Sequence, residues 1–201
     1  REFVQKNSSC ASLVLGMGGL PFAGQTNDSP GFTPIKIKRV DSNFEREPLH
    51  PYRFKGSSIT DSWQTIALLE AESGTRKIGL ATQGVLWSDA RVAAAHSENA
   101  GNALMYAMTE HSLQLMKGTT FTDPIELLDK LLPEVLAYGK KITGIGDLRK
   151  TFALNALVGV DNAAWLLYAA ENNITNFDAL IPKPYRQGLS HKHTKVASIP
   201  S

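Results

Sequence analysis

The side chains best suited to binding a ligand are concentrated in one stretch of the sequence, residues 41–58. Aromatic rings and cations stand close together there, with no apolar periodicity around them. They are Phe44, Arg46, His50, Tyr52, Arg53 and Phe54. Binding residues tend to lie on loops held by a rigid scaffold, and an arginine can hold a carboxylate through two parallel hydrogen bonds. The stretch therefore indicates either a binding loop for a small acid or a surface loop whose aromatic rings lie on a neighbouring sheet.

Other motifs that could carry chemistry are weak or incomplete. The sequence contains no nucleophile elbow, zinc-finger spacing, Walker loop or His-Glu-x-x-His motif. His191 and His193 offer two metal ligands, which do not complete a site. Asp161 and Trp165 are i, i+4 neighbours on one predicted helix face. A buried aspartate needs a hydrogen bond, so this pair indicates packing rather than catalysis.

The composition fits one globular domain with a tail, or two small domains. The chain has 201 residues and 21.9 kDa, with 42% hydrophobic and 20% charged residues, which is enough apolar material to offset the entropy of folding. The net charge of +2 is too small to indicate nucleic-acid binding. A complete (β/α)₈ barrel normally needs about 250 residues, so a barrel with a second domain does not fit.

The N-terminal residues 1–24 resemble an export signal that has lost its start. The charged opening from Arg1 to Lys6 resembles the second half of a twin-arginine motif, and a short, weakly apolar run follows it. The run is too short for a stable membrane span, which takes about 20 apolar residues. We therefore expect an exported, periplasmic protein with a polar linker at residues 25–33. The alternative is a buried N-terminal segment in a cytoplasmic protein.

Apolar periodicity predicts an α+β domain in which strands precede helices. The predicted strands span residues 35–40, 61–72 and 77–82, with a long loop at 41–58 and a last apolar strand at 194–199. The long loop joins the first two strands and a turn at Gly74 joins the second to the third, which indicates a three-stranded antiparallel meander. The predicted helices span about residues 104–117, 123–139 and 147–172.

Helical spacing also predicts which faces of two of these helices are buried. The core face of the first helix comprises Leu104, Ala107, Met108, His111 and Leu115. The core face of the third comprises Phe152, Leu154, Leu157, Val158, Trp165 and Leu166, with small residues between them that let a neighbouring element approach closely.

The third helix carries a family resemblance. Its sequence is similar to the pattern Ala-Leu-x-x-hydrophobic-Asp-x-Ala-x-Trp-x-Leu. The matching positions are Ala156, Leu157, Asp161, Ala164, Trp165 and Leu167. This pattern resembles the last helix of the N-terminal capping domain in the enolase superfamily, in its mandelate racemase and muconate-lactonising branch. On this resemblance residues 34–181 form the capping domain, and residues 182–201 form a linker and the first strand of a truncated (β/α)₈ barrel. The third strand departs from the family, which often has Gly-x-Gly-Glu where this chain has Gly79-Leu80-Ala81-Thr82.

The resemblance implies an enzyme that abstracts a proton next to a carboxylate and stabilises the enediolate on Mg²⁺. In this family the base and the metal carboxylates lie on later barrel strands. The resemblance therefore implies that this chain carries no catalytic residue and no metal ligand. We expect the longer protein to be a racemase or epimerase, with a sugar-acid dehydratase or cycloisomerase as alternatives. A non-catalytic module that binds a ligand or a partner is the competing interpretation from another class.

The resemblance also implies a role for two segments of this chain. In this family the loop between the first two strands and the segment after the third strand close over the barrel mouth and select the substrate. The corresponding lid residues are Phe44, Arg46, His50, Tyr52, Arg53 and Phe54 in the first segment and Trp87 in the second, residues 83–87. The expected partners are a small carboxylate substrate, the remaining barrel and further copies of the full-length protein.

Overall fold

A computed structural model describes residues 33–189 and Lys195. Four strands form one antiparallel sheet, ordered β3-β2-β1-β4. The strands are β1 (Ile35–Phe54), β2 (Ser57–Ala71), β3 (Arg76–Gln83) and β4 (Thr120–Phe121). The predicted meander is confirmed, with the short strand β4 added beside the start of β1. Several predictions fall outside the described residues. They are the export segment 1–24, the linker 25–33 apart from Thr33, the histidines at 191 and 193, and, apart from Lys195, the last strand at 194–199, which was predicted as the first barrel strand.

Helices follow the meander, so the predicted α+β class is confirmed. They are α1 (Val85–Ser88), α2 (Ala90–His96), α3 (Glu98–Met116), α4 (Pro124–Thr143), α5 (Lys150–Glu171) and α6 (Phe177–Leu180), followed by a 3₁₀-helix (Lys183–Leu189). The start of α4 is as predicted, because the Asp123 carboxylate accepts a hydrogen bond from the Ile125 N–H at 2.7 Å. The helix continues past Gly139 to Gly144, whose φ of 69° ends it.

The predicted long loop at 41–58 is wrong, because strands β1 and β2 continue through it as one hairpin. Tyr52 pairs with Ile59 and Phe54 with Ser57, and the turn is only Lys55 and Gly56. Both turn residues have positive φ, 48° and 81°, as a tight hairpin turn requires. Most side chains in the distal half of the hairpin, residues 48–61, are exposed, although Ile59 is buried, and the register shifts between Pro48 and Tyr52. The sequence there therefore lacks the period-two pattern of a half-buried strand.

The predicted core face of α3 is wrong in part. Met108 is buried as predicted, but Leu115 is 36% exposed and Leu104, Ala107 and His111 are half-buried. The observed core face instead includes polar side chains: Asn102, Thr109 and Ser112. Each of them makes a hydrogen bond inside the fold: the Asn102 Oδ1 accepts from the Val85 N–H, and the Thr109 and Ser112 hydroxyls donate to backbone carbonyls. Satisfied polar residues can lie in a core, but they are invisible to an apolar pattern.

The predicted core face of α5 is also wrong in part. Phe152 and Leu157 are buried as predicted, whereas Leu154, Val158 and Leu166 are 36%, 39% and 49% exposed, and Trp165 is half-buried. Half of the buried residues of α5 are small: Ala153, Ala156, Gly159, Ala163 and Ala164. These let α5 lie directly on the sheet.

The contact between α5 and the sheet is closest at Gly79 of β3. A Cβ atom on Gly79 would overlap the Gly159 carbonyl oxygen and the Ala163 backbone nitrogen. Two amides of α5 donate to β3 carbonyls just after this point, Asn162 to Leu80 at 2.9 Å and Asn155 to Thr82 at 3.2 Å. Helix α5 is also the one described helix long and apolar enough to cross a membrane, and its burial against the sheet is that of a core helix.

Candidate ligand-binding site

The two predicted lid segments meet at one cavity. The distal half of the hairpin and residues 83–87 border a space of about 360 Å³. Its apolar wall comprises Leu49, Tyr52, Ile59, Val85, Leu86 and Trp87. Tyr52 and Trp87 were both predicted as lid residues, and the Trp87 side chain is 65% exposed. The structure therefore brings these two aromatic side chains, which are distant in sequence, to the same pocket.

The tip of the hairpin packs against Trp87. The Phe54 ring lies 4.2 Å from the Trp87 ring, centroid to centroid, and the Lys55 Nζ stands 5.2 Å from the Phe54 ring and 5.8 Å from that of Trp87. Such cation–π contacts hold an ammonium over an aromatic face. The sequence analysis did not single out Lys55. The one local signal for it is its position before a glycine, which is typical of a hairpin turn.

The other predicted lid residues are not brought to the cavity. Phe44 stacks on Trp63 at 4.9 Å and on Tyr106 at 4.8 Å, nearer the base of the hairpin. Arg46 lies over the same Trp63 ring at 5.2 Å and donates a 3.0 Å hydrogen bond to Asp61. His50 and Arg53 are exposed and do not line the cavity. Of the two arginines predicted for this segment, Arg46 is thus paired within the protein and Arg53 is exposed.

Two carboxylates that the sequence analysis did not single out border the cavity, Asp61 and Glu98. The hydrogen bond from Arg46, with a second from the Thr60 hydroxyl, lowers the pKa of Asp61. Burial raises the pKa of Glu98, and the charge of nearby Asp61 raises it further. Arg46 and Asp61 are 15 positions apart, so no local motif in the sequence could indicate that they pair.

The back wall of the cavity is held by Asn155 of α5. Its Oδ1 accepts hydrogen bonds from the Gly84 N–H and the Ser88 hydroxyl, both at 3.0 Å, while its amide holds β3. The Thr151 hydroxyl donates to the Ser88 carbonyl at 2.7 Å. Side chains on a rigid core helix therefore fix the backbone that carries Trp87.

An ion-pair network around the buried Asp89 secures the other end of α1. The Asp89 side chain has no exposed surface, and it pairs with Arg91 at 2.7 Å. It also accepts from the Arg149 N–H at 3.1 Å, while Arg91 reaches Asp147 at 2.6 Å. The hydrogen bonds from Arg91 lower the pKa of Asp89. The network ties α1 and α2 to the residues that precede α5, and so positions the segment bearing Trp87 from both sides.

The residues of the family-like motif lie within α5 and face the core for the most part. Ala156, Leu157, Ala164 and Leu167 are buried. Burial raises the pKa of Asp161, and its hydrogen bond from Trp165 opposes this shift. Among the described residues there is no group of three or more His, Cys, Asp or Glu that could hold a metal ion.

Comparison with known proteins gives structural matches only, since no family model and no curated protein sequence matches the chain. A dipeptide epimerase from Enterococcus faecalis, solved with Mg and the dipeptide L-Leu-L-Tyr, is 17% identical with a TM-score of 0.40, and the match covers 68% of this chain and 32% of that one. A talarate/galactarate dehydratase from Salmonella typhimurium is 18% identical with a TM-score of 0.44, over 76% and 34% of the two chains.

A third match is a mandelate racemase/muconate-lactonizing enzyme from Roseovarius nubinhibens, 20% identical with a TM-score of 0.39, over 67% of this chain and 30% of that one. The third match bears the name of the branch that the α5 motif resembles. The chain spans about a third of the length of each of the three proteins.

Proposed function

We propose that this chain is the substrate-capping part of a longer, Mg²⁺-dependent enzyme that abstracts the α-proton of a small carboxylate compound, as a racemase or epimerase does. The observation that carries the proposal is the meeting of the two lid segments at one cavity. The hairpin tip contacts residues 83–87 through the rings of Phe54 and Trp87, whose centroids lie 4.2 Å apart. A cap made of two distant segments can close over a substrate as one body and exclude water.

The exposed apolar surface supports attachment to a further domain. Outside the core, four large side chains around the edge of β3 remain 49% or more exposed: Ile78, Leu80, Leu166 and Phe177. Exposed apolar patches of this kind mark interaction surfaces. In the proposed enzyme this face packs against the catalytic barrel or a second copy. The same face is what favours the competing function, a non-catalytic module that binds a separate partner protein.

In the proposed enzyme the magnesium site lies in the rest of the protein, outside the described residues of this chain. Mg²⁺, when bound, stabilises the negative charge that develops as the α-proton leaves. The described residues offer no cluster of ligands for it, so they do not fit a magnesium site and no step is assigned to them. What these residues contribute is the wall of the substrate pocket and the support behind it.

The test is α-proton exchange in deuterated water, catalysed by the full-length protein that contains this chain. We expect exchange on a carboxylate substrate when Mg²⁺ is present, its loss with EDTA, and its recovery when Mg²⁺ is restored. The chain of 201 residues alone should catalyse none. Exchange by this chain alone would overturn the assignment of catalysis to the remainder of the enzyme. A full-length protein that exchanges no α-proton of any hydroxy acid, sugar acid or dipeptide would support the binding module instead.

A further inference from the structure

The cavity wall is apolar where a ligand would touch it. Leu49, Ile59 and Leu86 line it together with the rings of Tyr52 and Trp87. Ligand pockets of a few hundred Å³ with such walls gain affinity by removing apolar surface from water. At about 360 Å³ the space accommodates a branched aliphatic or aromatic side chain.

Several polar side chains in the wall are held by hydrogen bonds within the protein. Asn155 bonds Gly84 and Ser88, Thr151 bonds the Ser88 carbonyl, and the Gln83 amide donates to the Thr109 hydroxyl at 2.8 Å, while the buried Gln83 Oε1 has no hydrogen-bond partner among the described residues. The carboxylates of Asp61 and Glu98 can accept from a ligand hydroxyl. A polyhydroxylated ligand would still place its other hydroxyls against the apolar wall, where they find no partner, and that costs free energy.

The charged residues of the cavity lining are two carboxylates, Asp61 and Glu98. The Arg46 guanidinium is bonded to Asp61 at 3.0 Å, and the Lys55 ammonium stands over the Phe54 and Trp87 rings and is not part of the lining. A ligand carboxylate placed there would meet like charges without a free cation from the lining residues, and that is unfavourable. A neutral or cationic group would not.

We propose that this cavity receives an apolar group of the substrate, neutral or ending in an ammonium, and discriminates against a second carboxylate and against a polyol chain. The inference rests on the proposed function, because it names the substrate group that the same cap selects. It favours an epimerase acting on compounds with an aliphatic or aromatic side chain over a sugar-acid dehydratase.

The test is probe binding, followed through the indole N–H resonances of the chain in two-dimensional NMR. The resonance of Trp87 is assigned by the Trp87→Phe substitution. The probes are isoamyl alcohol, isoamylamine, isovalerate and gluconate. We expect the alcohol and the amine to shift the Trp87 resonance at concentrations about tenfold below those of isovalerate, and gluconate to leave it unchanged. Equal or tighter binding of isovalerate or gluconate would overturn the proposal, as would the absence of a response to all four probes.

A matched pair of variants tests the source of the discrimination. Glu98→Gln removes the rim charge, and we expect isovalerate to bind several-fold more tightly with little change for isoamyl alcohol. Glu126→Gln removes a glutamate from the first turn of α4, as Glu98 stands in the first turn of α3, and should change neither. Equal effects of the two substitutions on isovalerate would overturn the proposed role of Glu98. Probe binding requires no turnover, so its failure leaves the exchange test of the proposed function intact, and the reverse also holds.

Discussion

Two regions of the molecule differ in side-chain size. Small residues form the contact between α5 and β3, whereas large side chains border the cavity beside the distal half of the hairpin. Where α5 lies on β3, Gly159 and Ala163 meet Gly79 at the backbone, while the large side chains Leu154, Val158 and Leu166 are exposed. Beside the distal hairpin, the large side chains of Tyr52 on β1 and Trp87 on α1 border a cavity. The comparison teaches that this chain fixes its framework by close approach of small residues and keeps large apolar surfaces for contact with something else.

The largest effect is expected at the point of closest approach. Gly79→Ala would place a methyl group on the Gly159 carbonyl oxygen and the Ala163 nitrogen, both of which are backbone atoms that cannot move aside easily. We expect a loss of about 3 kcal/mol or more in the free energy of unfolding, measured by urea denaturation. Gly146→Ala is the control, because nothing lies within 4 Å of its added Cβ. Similar stability of the two variants would contradict the close contact.

The second effect concerns the network that supports residues 83–88. Asp89→Ala removes a buried carboxylate and the N-cap of α2, and we expect a loss of about 2 kcal/mol near pH 7. Because the pKa of Asp89 is lowered in the folded state, its contribution is present above the ordinary aspartate pKa and disappears as the pH falls through the lowered value. The stability difference from the wild type should therefore shrink in acid. Asp147→Ala, at an exposed partner of Arg91, should have a much smaller effect.

The third prediction compares the two ends of the hairpin directly. Trp63 is 4% exposed and packs under Phe44 and Arg46, whereas Trp87 is 65% exposed. Trp63→Ala should cost about 3 kcal/mol of stability. Trp87→Ala should cost less than about 1 kcal/mol and instead weaken binding of isoamyl alcohol. If Trp87→Ala destabilises the chain as much as Trp63→Ala, the distal hairpin is framework and not a ligand surface.

The smallest effect is expected at Asp161. Burial raises the pKa of this carboxyl, so its charged form is disfavoured in the folded protein at neutral pH. Asp161→Asn removes that penalty. At pH values above the raised pKa the substitution should slightly raise the melting temperature, and in acid, where Asp161 is already protonated, it should give no gain. A loss of stability at neutral pH would show that the charge itself, through the bond from Trp165, holds the helix.

Much of the framework could be predicted from the sequence. The meander, the start of α4 at Asp123 and the α5 motif follow from local patterns, because period, capping and spacing are local properties. The core faces of α3 and α5 could be predicted only in part. Buried Thr109 and Ser112 depend on partners far along the chain, and Leu166 is exposed because small residues, not large ones, meet the sheet.

The site was predictable to a lesser degree than the framework. Tyr52, Phe54 and Trp87 were identified by type and position, and the structure brings them together. Arg46 was expected to be available for a carboxylate, but it pairs with Asp61 across the hairpin. That pairing required β1 to continue through the predicted loop. No local pattern indicated that β1 continues, because most side chains of the distal hairpin are exposed and show no period of two.

The most direct test of the central claim is the kcat/KM of the full-length protein for α-proton exchange, measured for Trp87→Ala and for Glu45→Ala. Both side chains are exposed and lie on the hairpin or beside it, but only Trp87 lines the cavity. We expect a loss of about tenfold or more for Trp87→Ala, with stability nearly unchanged, and a change within about twofold for Glu45→Ala. An unchanged kcat/KM for Trp87→Ala would contradict the account.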